Sequence, residues 1–169
     1  LVMIMDVEKV LADAGGFYED MSLENIQKLK TEKEYTILFA DDSAIARKQI
    51  TQTLDHLGIK YIQNINGANA WIQLDKMATR CEEEGTDIMD EIQLVLTDVE
   101  MPEMDGYVLT QKIKSDPRMK HLPVIMHSSL TAAANQNMGK NVGADAYVPK
   151  FQPQELAETL EEFFMKGAV

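Results

Sequence analysis

The chain has a single cysteine, Cys81, among 169 residues. That excludes an internal disulfide framework and any cysteine-based metal cluster, and it fits a reducing compartment. Basic residues are scarce: 16 Lys and Arg stand against 28 Asp and Glu, a net charge of -12. A chain this acidic is poorly suited to neutralising nucleic-acid phosphates and is repelled by anionic membrane surfaces. No apolar run reaches the length of a membrane span, so direct membrane insertion is not expected. The three histidines, His56, His121 and His127, show no metal-binding spacing. There is no internal repeat and no low-complexity segment. What is present is a 45% apolar fraction, enough for one core, and a cluster of acids in need of a cation.

The opening Leu1 to Met5 is too short for a signal-peptide core and lacks a basic flank, so it reads as a short buried strand. A helix over Val7 to Ala14 follows, with Gly15-Gly16 ending it. A start on Leu and a piece this small point to a fragment: residues 1–16 are expected to be a docked tail or the end of a preceding domain. Residues 17–34 are polar and charge-mixed and are expected as a linker. Two readings stand for it, a helix from a Ser22 cap through Lys33 with Leu23, Ile26, Leu29 and Lys30 at helical spacing, or an irregular arm.

Over residues 35–169 strand and helix patterns alternate, as in a parallel sheet covered on both faces. Strands are expected at Thr36–Ala40, Tyr61–Ile65, Leu94–Leu96, Pro123–Ser128 and Asp145–Pro149. The helices between them run over Ser43–Leu57, Gly67–Glu84, Tyr107–Ser115 and Thr131–Asn141, with a last one from Pro153. The acidic stretch Glu82 to Glu91 reads as a solvated helix end and loop, with a docking insert as the alternative.

Chemistry gathers at the strand ends. Asp41 and Asp42 follow the first strand, Asp98 the third, Ser128 ends the fourth and Lys150 follows the fifth. If the first and third strands are neighbours, three carboxylates converge at the switch point of an α/β sheet of order 2-1-3-4-5. At ~4 Å and an effective dielectric of 20 each pair repels by about 4 kcal/mol. A hard divalent cation relieves this while keeping all three ionised, and an oxygen-only ligand set favours Mg²⁺. Asp98 would then be free to attack phosphorus, Lys150 to neutralise the transferring oxygens, and Ser128 to donate a hydrogen bond to one of them. Taken alone, Asp41-Asp42 reads better as a helix cap with a solvated acid and Lys150 as a surface lysine, while Tyr147 is as readily a packing residue as a switch.

Together these motifs resemble the receiver domain of two-component response regulators. They are Asp41-Asp42; Asp98-x-x-Met101-Pro102-x-Met104-Asp105-Gly106; Ser128-Ser129; and Tyr147-x-x-Lys150. The resemblance implies a flavodoxin-like fold. Asp98 corresponds to the phosphoacceptor, Asp41 and Asp42 to Mg²⁺ ligands together with Asp98 and the backbone carbonyl of Glu100, and Ser128 and Tyr147 to the switch pair. It implies no enzyme activity beyond the domain's own phosphorylation and dephosphorylation. The response is a change in the surface of the fourth helix, fifth strand and fifth helix. Three positions depart from the pattern. Glu100 lies on the approach of the hydrolytic water, Ser128 replaces the commoner Thr, and Phe151 replaces the Pro after the lysine. Without proline a cis bond would cost ~3–4 kcal/mol, which opens the way to a trans peptide and a different loop there.

The stretches Phe39–Lys48 and Met126–Thr131 resemble the CheV group of chemotaxis coupling proteins, in which a CheW-like domain precedes a receiver. Residues 1–16 resemble the last strand and helix of that coupling domain. This implies a cytoplasmic protein that takes phosphate from the histidine kinase CheA and tunes its coupling to chemoreceptors. The alternatives are the receiver of another response regulator, an Asp-nucleophile phosphatase using Glu100 as its acid, and a docking module without chemistry. A transcriptional regulator would need a basic helix-turn-helix, and none is evident.

Overall fold

The computed structural model describes residues 23–165, so the strand and helix expected over residues 1–14 lie outside the described residues. Five strands form one parallel sheet: β1 Thr36–Ala40, β2 Lys60–Asn64, β3 Leu94–Thr97, β4 Val124–Ser128 and β5 Ala146–Pro149. Their spatial order is β2-β1-β3-β4-β5, as expected. Five α-helices alternate with them: α1 Ala44–Leu57, α2 Gly67–Glu84, α3 Gly106–Ser115, α4 Ala133–Asn141 and α5 Pro153–Met165.

The sheet has two apolar faces because successive strand residues point to opposite sides. Ile37 and Phe39 of β1 turn toward α1 and α5, with Leu96, Ile125 and Val148 beside them. Leu38 and Ala40 turn the other way, toward α2 and α3, where Leu74, Leu109 and Ile113 close the second core. Helix ends follow local sequence. Ser43 caps α1 by accepting from the Ala46 amide, and Gly58 takes the left-handed conformation just past its end (φ 75°). Asn66 caps α2 and Asp105 caps α3 through side-chain oxygens.

Two segments turn out differently from the simplest reading. Of the two readings for residues 17–34, the irregular one describes residues 26–35, and among the described residues only Leu23 and Glu24 before them are helical. The physical reason is a competing partner. The Leu29 amide donates to the Leu57 carbonyl, one of the acceptors left open at the C terminus of α1. Leu23, Ile26 and Leu29 are still buried at every third position, packed into the α1–α5 core, and Tyr35 stacks on Phe164 at 4.2 Å. The acidic connection after α2 folds into a short 3₁₀ turn, Ile88–Asp90, capped by Asp87 and anchored by buried Ile88 and Ile92. Two of its acids have surface partners: Glu91 pairs with Arg80, and Asp87 shares a hydrogen bond with His121 Nε2.

Candidate phosphoacceptor and metal site

Register places the acids. Ala40 pairs with Thr97 across β1 and β3, so Asp41 and Asp98 leave the sheet side by side, and the Asp98 amide donates to the Ala40 carbonyl at 2.9 Å. Both side chains are buried, at 0% and 4% exposure, whereas Asp42 is exposed. One carboxylate oxygen from each of Asp41, Asp42 and Asp98 lies within 4.8 Å of the others. Asp41 Oδ1 accepts from the Ser43 amide at 2.9 Å, and Asp98 Oδ1 accepts from the Val99 amide at 2.8 Å. Their other oxygens face Lys150, whose Nζ is 3.0 Å from Asp41 Oδ2 and 3.0 Å from Asp98 Oδ2.

The electrostatics follow from that count. Three carboxylates face one ammonium. Burial, and after it the Asp41 charge, push the Asp98 carboxyl up from 3.8 to about 6, with Lys150 offsetting only part. Burial pulls the Lys150 ammonium down, but its bonds to Asp41 and Asp98 outweigh that and hold it above the ordinary lysine range. The raised value records a carboxylate whose charge one ammonium only partly balances, so a second positive charge would favour the ionised, nucleophilic form. The donor set is all oxygen and the cluster is open to solvent on the Asp42 side, which fits a hard, partly hydrated divalent cation.

The Met101–Gly106 loop is built to approach Asp98 closely. The Gly106 amide donates to the Val99 carbonyl at 2.8 Å. A Cβ on Gly106 would lie 2.0 Å from the Asp98 carbonyl oxygen, so no other residue fits without moving the backbone at Asp98. Glu100 sits exposed in this loop, lining a groove with Asp42, Met101, Tyr107, Leu130 and Asn135.

Ser128 is buried at the end of β4, and its Oγ accepts from the Leu130 amide at 3.0 Å. The Tyr147 hydroxyl donates to the Leu130 carbonyl. Both switch candidates therefore grip one residue of the β4–α4 loop. The Lys150 amide donates to the Ser128 carbonyl at 3.0 Å, tying the lysine's loop to the same strand end. No cis peptide occurs among the described residues, so Lys150–Phe151 is trans, and Phe151 takes a left-handed φ of 62° in its place. His127 is buried and, with burial and Lys150 both opposing its charge, is pushed down to about 3. It is neutral at physiological pH.

Two residues of the site escaped sequence reading. Arg47 donates to the Asp41 backbone carbonyl at 2.9 Å, fixing the turn that aims both acids. Tyr107 lies at the start of α3, and its hydroxyl donates to the Asn135 carbonyl of α4 at 3.2 Å, with Asn135 Oδ1 at 3.4 Å. The one signal available was an aromatic directly after Asp105-Gly106, at the start of a helix.

The response regulator receiver domain model matches residues 37–161. Chemotaxis protein CheV1 of Helicobacter pylori is 30% identical over 164 residues, covering 96% of this chain and 49% of that protein. Chemotaxis protein CheY1 of the same organism is 34% identical over 127 residues, 74% of this chain and 93% of its own length. The chain thus spans about half the length of the CheV relatives and nearly all of the CheY one. Among solved structures, the receiver domain of the Arabidopsis thaliana histidine kinase CKI1, complexed with Mg²⁺ and BeF₃⁻, aligns with a TM-score of 0.67 at 28% identity. That match covers 76% of this chain and 88% of that one.

Proposed function

The chain belongs to the response regulator receiver domain family, and from that premise we propose that it is the phosphoacceptor module of a chemotaxis coupling protein, modified on Asp98. The observation that carries this reading is the Asp41–Asp42–Asp98 cluster with Lys150 bridging its two buried members at 3.0 Å. Asp41, Asp42, Asp98 and the Glu100 carbonyl would hold Mg²⁺, which supplies positive charge against the acids and the incoming phosphoryl oxygens.

The chain's own residues do the rest. One carboxylate oxygen of Asp98 attacks phosphorus as the bond to the donor histidine nitrogen breaks. Lys150 stays close to the acceptor and balances charge on the phosphoryl group. Ser128 has its oxygen occupied by the Leu130 amide, which leaves its proton for a phosphoryl oxygen. Its shift bears on Leu130 and through it on Tyr147, so modification is read out at α4, β5 and α5.

The partners follow from the relatives. Similarity to CheV1 covers 96% of the chain, more than the receiver alone, and supports a preceding coupling domain acting between the kinase CheA and chemoreceptors in the cytoplasm. No helix among the described residues is long and apolar enough to cross a membrane. The test is incubation with phosphorylated CheA and Mg²⁺, comparing wild type with Asp98→Asn. Label should move to the wild type alone, and equal labelling of both would refute the assignment.

A further inference from the structure

Helix α4 is weakly held. Of its residues only Gly139 is buried, its N-cap Ala132 makes no side-chain cap bond, and no acid sits in its first turn. Among the described residues, one side chain from another helix hydrogen-bonds it: Tyr107, through Asn135. Tyr107 itself is anchored on the side of the acceptor. The Gly106 amide before it is bonded to the Val99 carbonyl, and glycine at 106 lets that turn sit against the Asp98 backbone. Burial, and next the neighbouring Tyr147, push the Tyr107 hydroxyl above the ordinary tyrosine range, so it stays a neutral donor.

The opposing pull comes from the other end of the same loop. Ser128 Oγ and the Tyr147 hydroxyl both hold Leu130, five residues before Asn135. A movement of Ser128 toward a group on Asp98 draws Leu130 with it and shifts the start of α4 relative to α3. Tyr107 is tied through Gly106 to the loop after Asp98 rather than to the β4–α4 loop. We propose that Tyr107 is a positioning residue, a latch that holds α4 in the arrangement seen here and opposes the switch that phosphorylation drives. The proposal rests on the phosphoacceptor reading of Asp98 and adds to it a residue on α3, outside the Ser128–Tyr147 pair.

The consequence is a linkage. A contact made in one arrangement and lost in the other biases the equilibrium, and by reciprocity it weakens binding of whatever favours the other state. One neutral hydrogen bond is worth roughly a twofold to tenfold shift.

Beryllofluoride with Mg²⁺, a phosphoryl mimic, is the probe. Its apparent Kd is measured for wild type, Tyr107→Phe and Asp98→Asn, with amide hydrogen exchange as the second measurement. Tyr107→Phe should bind the mimic about twofold to tenfold more tightly. Exchange should rise across residues 130–141 and stay unchanged in β1 and β3. A merely structural tyrosine would weaken binding when trimmed or leave it alone, so an unchanged or larger Kd overturns the latch. Asp98→Asn separates the two claims. If wild type and Asp98→Asn bind the mimic alike, the acceptor assignment fails; if only wild type and Tyr107→Phe bind, with equal Kd, the latch alone fails.

Discussion

Asp98→Asn should stabilise the protein, and by an amount that depends on pH in a defined direction. In the fold without a bound cation the Asp98 carboxyl is raised from 3.8 to about 6 by burial and by Asp41. A raised acid contributes stability that is fully present below its unfolded value and lost as pH rises through its folded value. The loss therefore falls between pH 4 and about pH 6 or slightly above. A gap of about two at about 1.4 kcal/mol per pH unit gives about 3 kcal/mol, and allowing for solvent on the Asp42 side leaves on the order of 2 kcal/mol. Asparagine keeps the shape and never ionises. The mutant and wild type should be equally stable near pH 4, and the mutant should lead by on the order of 2 kcal/mol at pH 7 and above. His127 acts in the opposite sense, since its folded value is lowered to about 3, but it is common to both proteins and cancels in the difference. Urea unfolding followed through the single tryptophan, Trp71, measures this directly in chelator-treated buffer. Saturating Mg²⁺ should shrink the pH 7 gap by stabilising the wild type more than the mutant. A difference that is flat with pH, or a mutant less stable at pH 7, would refute the electrostatic account of the site.

Replacing Lys150 with Met removes the ammonium 3.0 Å from two carboxylates; the Asp98 carboxyl should titrate about one pH unit or more higher by carbon NMR, and label transfer should fall sharply. Gly106→Ala places a Cβ 2.0 Å from the Asp98 carbonyl oxygen, so it should cost at least ~2 kcal/mol in urea unfolding and slow phosphorylation, because the acceptor backbone must move. Leu29→Ala, in the arm that covers the α1–α5 core, should destabilise by about 2 kcal/mol while leaving beryllofluoride affinity unchanged, which a thermal or urea midpoint and a titration would separate.

Much of the fold was written in local signals. The runs Ile37–Ala40, Leu94–Leu96 and Pro123–Met126 are apolar at consecutive positions, and only a strand covered on both faces buries every one of them. Ser43, Asn66, Asp105, Gly58 and Gly85 mark helix ends because their side chains or backbone freedom satisfy orphan amides and carbonyls there. The arm before β1 left two readings open, helix or irregular chain, for an equally physical reason. A three-residue spacing of Leu23, Ile26 and Leu29 suits a helix face, but it also suits an irregular strand of chain whose amide finds a tertiary acceptor at Leu57.

The site divides along the same line. Chain order alone determined which carboxylates, hydroxyl and lysine stand at strand ends, because a strand's C-terminal edge is a local property and a flavodoxin-like order brings those edges to one rim. Tertiary structure decided how they act on one another. The Asp98 carboxyl is pushed up to about 6 by burial and by Asp41, which lies 57 positions earlier, and no local pattern encodes that desolvation. Leu130 as the common hold of Ser128 and Tyr147, and Tyr107 reaching α4 from α3, are likewise products of packing. Hydrogen bonds between side chains and distant carbonyls depend on where two helices come to rest, and sequence spacing carries no record of it.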